Sequence, residues 1–155
     1  MLIVDAHEDI AWNTLTFGRD YTTAAYNIRT AEAASKTPDH NGSACLGRTQ
    51  WIAGHVGVVF ATLFVSPYRR RLGGWDRMCY RNAAEAHGLA QTQLDFYHRL
   101  EEQHPEFRII RNRADLYTVT SCWEQEIQSD KLIGLVLLME GADPIRTPDE
   151  VKQWY

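Results

Sequence analysis

Residues 2–9 read Leu2-Ile3-Val4-Asp5-Ala6-His7-Glu8-Asp9, and the interpretation of the whole chain depends on them. The three apolar residues, two of them β-branched, predict a short buried strand. His7 and Asp9 follow two positions apart, and in extended backbone such side chains point to the same side. An imidazole and a carboxylate placed in this way can converge on one metal ion. A His-x-Asp pair is also a common chance match at an ordinary strand exit or helix cap, so its meaning rests on the other strands.

The composition indicates one globular domain spanning residues 1–155. Hydrophobic residues make up 45% of the chain, which is enough to build a core, and charged residues make up 23%, as is usual for a globular protein. The net charge of -4 and the absence of a long basic stretch argue against nucleic-acid binding. The odd number of widely spaced cysteines predicts reduced thiols, and no apolar run reaches membrane-spanning length. We therefore expect a soluble, cytoplasmic protein without a membrane segment.

A run of three arginines, Arg69-Arg70-Arg71, lies between Pro67-Tyr68 and Gly73-Gly74 and is predicted to belong to a loop. Two interpretations stay open for it. The run is either a solvated loop or an anion-binding or substrate-facing segment.

Apolar runs and helical periodicity alternate along the rest of the chain. The predicted elements are a strand over 56–65, a helix over 76–103, a short strand over 107–110, a helical region over 113–128, a strand over 131–139 and a helix beginning at Thr147, with residues 36–43 in a loop. Strands that are apolar throughout are typical of parallel sheets covered on both faces. The alternation therefore predicts an α/β fold with parallel pairing.

Glu140 comes directly after the last predicted strand, as His7 and Asp9 come after the first. In α/β barrels the active-site groups lie at the carboxyl ends of the strands. An isolated Glu at such a position is commonly a cap or a surface residue. Its coincidence with the His-x-Asp pair makes the three residues candidate ligands of a shared metal.

Four segments, taken in order, resemble the membrane (renal) dipeptidase family, the M19 metallopeptidases. They are VDAHEDI at 4–10, similar to that family's D-G-H-N-D-L; AGHVGVVF at 53–60, similar to G-G-V-G-x-Q-F; DFYHRL at 95–100 with PEF at 105–107, similar to the end of its long helix; and LIGLVLLMEGA at 132–142, similar to I-x-x-L-L-x-x-E-G. Ala6 and Glu8 depart from the family's usual Gly and Asn. Most members of the metal-dependent hydrolase superfamily have His at the position of Asp9, so an Asp here points to the M19 family in particular.

The resemblance implies a (β/α)8 barrel of the metal-dependent hydrolase superfamily, with roughly its first three strand–helix units in this chain. It also implies a zinc-dependent dipeptidase, in which water activated by two zinc ions attacks a dipeptide. By motif matching, His7 and Asp9 would ligate the first zinc, and Glu140 would bridge both ions.

The resemblance covers only the amino-terminal part of such a barrel, since a complete one takes roughly 250 residues. The family's later histidines have no counterpart, because no His follows His104. His55, His87 and His98 are not expected to be ligands, whereas His40, in the long loop, stays open. We therefore expect weak metal binding, and an open apolar edge on the last strand that favours a homo-oligomer or a complementing chain. Two alternatives remain: a non-catalytic, truncated barrel fragment acting as a binding or assembly unit, and another metal-dependent amidohydrolase.

Overall fold

The computed structural model describes residues 1–124 and 131–154 and shows strands alternating with helices. The strands are β1 (Ile3–Glu8), β2 (Val56–Phe64), β3 (Ser66–Pro67), β4 (Cys79–Tyr80), β5 (Phe107–Ile109) and β6 (Ile133–Glu140). The helices are α1 (Ile10–Phe17), α2 (Ala25–Glu32), α3 (Thr37–Asn41), α4 (Arg48–Ala53), α5 (Ala83–Gln103), α6 (Arg113–Glu124) and α7 (Val151–Trp154), with 3-10 turns at Tyr68–Arg70 and Pro148–Glu150. The part of the predicted helical region over 125–128 lies outside the described residues.

Four parallel strands form the main sheet in the order β1-β2-β6-β5. The pairing of β2 with β6 runs without interruption from Val58 opposite Gly134 to Phe64 opposite Glu140. The short strand β5 pairs only with the amino-terminal part of β6. Because all four strands run the same way, the carboxyl ends of β1, β2 and β6 share one edge of the sheet. The predicted α/β class with parallel pairing is confirmed.

The hydrophobic core lies between the sheet and the helices α1, α4 and α5. Its largest side chains, Trp51, Tyr97 and Phe107, are almost completely buried. On β2, the adjacent residues Val58 and Val59 are both buried, which explains the uninterrupted apolar run of this strand.

Gln93 of α5 lies in this core and holds the end of β2. Its side-chain amide donates to the carbonyl of Phe64 at 2.6 Å and accepts from the amide of Phe64 at 3.0 Å. A buried polar side chain is stable here because both of its functional groups are bonded.

Two glycines allow α6 and its flanking segments to approach the sheet closely. A Cβ at Gly57 would lie 2.6 Å from the indole nitrogen of Trp123, and one at Gly134 would lie 3.1 Å from a methyl of Val119. A side chain at either position would push α6 off the sheet.

Helix α5 begins seven residues later than the sequence pattern predicts. Asn82 caps it by accepting from the amide of Glu85 at 2.9 Å, and the Glu85 carboxylate accepts from the amide of Arg81 at 2.7 Å. The preceding residues instead form β4, which pairs with β3. These two bonds mark the true start of the helix, which the periodicity alone places too early.

Two further local predictions differ from the structure. Residues 36–43, predicted as a loop, contain α3, with Pro38 in its first turn where proline is well tolerated. Thr147 does occupy the cap position of the last helical segment, but its side chain makes no cap bond. Among the described residues, no helix combines the length and apolar composition needed to cross a membrane.

Candidate metal centre

His7, Asp9 and Glu140 meet at the carboxyl edge of the sheet. His7 lies near the end of β1, Asp9 follows that strand, and Glu140 is the last residue of β6. The Nε2 atom of His7 is 2.9 Å from Oε2 of Glu140 and 3.7 Å from Oδ1 of Asp9. One potential ligand atom from each of the three lies within 4.8 Å of the others. The fold thus brings together residues separated by up to 133 positions.

The pairing of β1 with β2 is irregular between Asp5 and Glu8. Such irregularities re-aim side chains and are common beside active sites. His7 lies inside this irregular stretch, and its exposed imidazole reaches Glu140 across the end of β2.

Asp9 occupies the N-cap position of α1, yet its carboxylate makes no capping bond. An Asp at this position normally accepts from an amide of the first helical turn. Here the hydroxyl of Tyr97 accepts from the amide of Ala11 at 3.1 Å instead. The carboxylate of Asp9 is therefore available to face His7, which argues against the ordinary helix-cap interpretation.

Thr62 of β2 fixes the orientation of Asp9. Its Oγ1 donates to Oδ1 of Asp9 at 2.5 Å, and its backbone carbonyl accepts from the hydroxyl of Tyr97 at 2.9 Å. Burial raises the pKa of Tyr97, so its hydroxyl keeps its proton and remains a donor. This Asp9–Thr62–Tyr97 chain of hydrogen bonds is the kind of support that orients metal-ligating carboxylates.

Glu8, next to the candidate ligands, points into the protein rather than toward them. It is 8% exposed, and its carboxylate accepts from Nε1 of Trp51 at 3.4 Å. Burial raises the pKa of Glu8 to about 7, with the Trp51 hydrogen bond opposing the shift. Its contact is therefore structural.

The donor set fits one divalent metal ion. Two ligand atoms on a tetrahedral zinc ion lie about 3.4 Å apart, close to the spacings measured between His7 and the two carboxylates. One imidazole nitrogen and two carboxylates also suit zinc and similar divalent metals. Without a metal, the hydrogen bond to Glu140 and the charges of Asp9, Glu140 and Asp5 raise the pKa of His7, against an opposing desolvation effect.

The remaining histidines lie elsewhere in the described part of the chain. His40, left open by the sequence, stacks on Trp75 with ring centroids 5.0 Å apart. Nδ1 of His87 is 3.1 Å from the carbonyl of Pro144. His55 precedes β2 at its amino end, as predicted. Among residues 1–124 and 131–154, His7, Asp9 and Glu140 form the one group of three or more potential ligands.

Sequence reasoning missed Thr62 and Tyr97. Thr62 is the only polar side chain in the apolar run over 56–65, which is a weak signal for a special role. Nothing in the sequence marks the hydroxyl of Tyr97, because its partners are far away along the chain. Only the packed structure reveals that both support Asp9.

Comparison with known proteins adds one likeness. Neither a protein-family model nor a curated protein matches the chain. Among solved structures, the crystal structure of dipeptidase AC, a metallopeptidase of family M19, is similar with a TM-score of 0.57 and 18% sequence identity. The likeness covers 94% of this chain and 38% of that one, so this chain spans well under half the length of the dipeptidase. At this identity the likeness concerns the fold, and it confirms the prediction of a mixed α/β structure similar to part of a dipeptidase TIM barrel.

Proposed function

We propose that the chain is the amino-terminal part of an M19-type, zinc-dependent dipeptidase, with residues 1–155 forming one domain. In this proposal His7 and Asp9 are ligands of one zinc ion and Glu140 is a ligand shared with a second. The observation that carries it is the convergence of these three side chains at the carboxyl edge of a parallel sheet, where α/β barrels hold their active sites.

The release of Asp9 from its capping role gives independent support. An ordinary polar strand exit has no need of a second residue, such as Tyr97, to cap α1 in place of Asp9. The bond from Thr62 goes to Oδ1 of Asp9, the oxygen that also faces His7, and leaves that oxygen a second lone pair for a ligand. These contacts organise the carboxylate for binding.

The chemistry of the site follows from its donors. When bound, a divalent metal polarises a carbonyl group and makes a water molecule acidic enough to attack near neutral pH. His7 and Asp9 would hold the ion, and Thr62 would keep Asp9 in place. Glu140, exposed and bonded only to His7 among the described residues, is free to reorient when it shares an ion.

The described residues supply three donors in all, so we expect metal affinity below that of closed structural zinc sites. Within residues 1–124 and 131–154, Glu140 is the one ligand that this proposal assigns to a second ion. Another metal-dependent amidohydrolase would use the same donors, and the choice of substrate separates it from a dipeptidase.

Zinc titration by isothermal calorimetry, followed by assays with a panel of dipeptides, tests the proposal. We expect saturable zinc binding by the wild-type chain and its loss in the His7→Ala variant. His55→Ala is a matched control, because His55 is exposed and precedes β2 at the opposite end of the sheet from the cluster. Equal zinc binding by the two variants would refute the ligand assignment. Hydrolysis of a neutral amide, but of no dipeptide, would favour the amidohydrolase.

A second candidate, a non-catalytic binding or assembly unit, is favoured by exposed apolar residues on the sheet. Val4 is 53% and Leu138 37% exposed, although both belong to strands of the main sheet. Sedimentation analysis with and without zinc tests this candidate. A stable oligomer that binds no zinc would favour it over the dipeptidase.

A further inference from the structure

Among the described residues, hydrogen bonds hold one of the three arginines that follow β2 and leave the other two without a partner. Arg71 donates to the carbonyls of Gly74 and Asp76 at 2.8 and 3.0 Å. Arg69 and Arg70 are exposed and, within residues 1–124 and 131–154, make no hydrogen bond or ion pair. Arg71 therefore stabilises the loop, and the other two guanidinium groups remain available to a ligand.

Arg69 and Arg70 line a pocket beside the candidate metal centre. The pocket has a volume of about 430 Å³, and Phe64, Glu140 and Asp143 also line it. It lies beside the candidate metal centre because Phe64 and Glu140 are paired at the carboxyl ends of β2 and β6. A molecule bound at Glu140 would therefore extend toward the two arginines.

The backbone that carries the two arginines is fixed at several points. The strand β3, immediately before their 3-10 turn, pairs with β4. The guanidinium of Arg81 lies 3.9 Å from the ring centre of Tyr68, a cation–π contact at the start of that turn. The hydroxyl of Tyr80 in β4 donates to Asp143 at 2.5 Å, which ties this ribbon to the loop after Glu140. The two side chains are thus exposed groups on an anchored turn.

The charges in the pocket favour an anion near the arginines. The hydrogen bond to Asp143 raises the pKa of Tyr80, and the positive charges of Arg69 and Arg70 oppose that shift, so both arginines act on this region. The two carboxylates that line the pocket are already engaged, Asp143 by the hydroxyl of Tyr80 and Glu140 by the imidazole of His7. Planar guanidinium groups match carboxylates with paired hydrogen bonds.

We propose that Arg69 and Arg70 form a carboxylate-binding subsite beside the candidate metal centre, and that the substrate carries a free carboxylate on this side. That the carboxylate belongs to a substrate rests on the proposed function, whereas carboxylate binding itself does not require it. The carboxylate is either the carboxyl terminus of a small peptide or an acidic side chain.

Titration of protein from which metal and then chelator have been removed, followed by nuclear magnetic resonance, tests the subsite with three matched probes. N-acetylglutamine carries only a terminal carboxylate, N-acetylglutamate amide carries only a side-chain carboxylate, and N-acetylglutamine amide carries neither. We expect saturable binding of at least one acidic probe and none of the neutral one. The acidic probe that binds more tightly identifies the source of the carboxylate.

The variant Arg69→Gln/Arg70→Gln should weaken binding of the acidic probe at least tenfold. Arg77→Gln is the control for charge, because Arg77 is exposed in the same loop and lines neither this pocket nor the neighbouring one that Tyr68 and Arg81 line. It should leave binding unchanged. All three substituted residues are exposed, and thermal unfolding of each variant confirms that it is folded.

Equal binding of the acidic and neutral probes, no binding of any probe, or equal weakening by Arg77→Gln would each overturn the subsite. Because the titration contains no metal, these outcomes are independent of the zinc titration that tests the proposed function. The proposal of the subsite and the proposal of the metal centre can therefore be refuted separately.

Discussion

Asp9 and Glu140 face the same imidazole but differ in how the protein holds them. Asp9 accepts a hydrogen bond from Thr62, whose carbonyl is bonded by the buried hydroxyl of Tyr97. Glu140 has a side chain that is 45% exposed and bonded only to His7 among the described residues. Polar groups on the Asp9 side therefore contribute to folding, whereas those on the Glu140 side, like Arg69 and Arg70, are exposed and contribute little to it. Substitutions on the two sides should separate stability from binding.

The largest loss of stability is expected from Tyr97→Phe. The substitution removes the side-chain acceptor for the buried amide of Ala11 and one donor to the carbonyl of Thr62. Loss of a partner by a buried polar group costs about 1–3 kcal/mol. Urea unfolding should show a decrease of this size. Tyr117→Phe, at a tyrosine that is 73% exposed, should change nothing, and equal stability of the two variants would show that the hydroxyl of Tyr97 has no supporting role.

Thr62→Val should have a smaller effect on stability and a distinct effect on metal binding. Valine preserves the shape but cannot donate to Asp9, at a cost of about 1 kcal/mol. Loss of a group that orients a metal ligand typically lowers metal affinity about 10–100-fold. Calorimetric zinc titration measures this change. Thr49→Val, at an exposed position on α4, is the control, and an unchanged zinc affinity in Thr62→Val would contradict the orienting role.

Acidic pH should weaken the hydrogen bonds that Glu101 accepts outside the candidate metal centre. Glu101 accepts from Arg111 at 2.7 Å and from the amide of Ile109 at 2.9 Å, and chiefly the bond from Arg111 lowers its pKa. A lowered pKa in the folded state means that the carboxylate stabilises the fold above its unfolded pKa of about 4.3. This contribution is lost as the pH falls through the folded value.

Unfolding measured between neutral and acidic pH tests that loss. Glu101→Gln should flatten the acid limb of the stability curve, whereas Glu102→Gln, at the adjacent exposed position, should leave its slope intact. If both variants keep the wild-type slope, the pair formed by Glu101 and Arg111 does not contribute.

The smallest effect on stability is expected from Glu140→Gln. The side chain is exposed and lies at the end of its strand, so the free energy of unfolding should change by less than about 0.5 kcal/mol. Zinc affinity should nevertheless fall, because an amide is a weaker ligand than a carboxylate. A loss of stability as large as that of Tyr97→Phe would mean that Glu140 is structural, and the contrast with Asp9 would disappear.

Much of the fold was predictable because its signals are local. The apolar runs located β2 and β6 to within a residue or two, and β1 was recognised although it continues through Glu8. The start of α5 was misplaced because helical periodicity extends past the residue that caps the helix. The cap at Asn82 depends on two specific hydrogen bonds, which a count of apolar positions does not include.

The sequence by itself determined the strand–helix alternation and placed His7, Asp9 and Glu140 at strand ends, since periodicity and strand polarity depend on neighbouring residues. Tertiary structure decided which partners these residues contact. It joined β1 and β6 on either side of β2, transferred the capping of α1 from Asp9 to Tyr97, and separated Arg71 from Arg69 and Arg70. Each of these outcomes depends on hydrogen-bond partners that only the folded chain brings within about 3 Å.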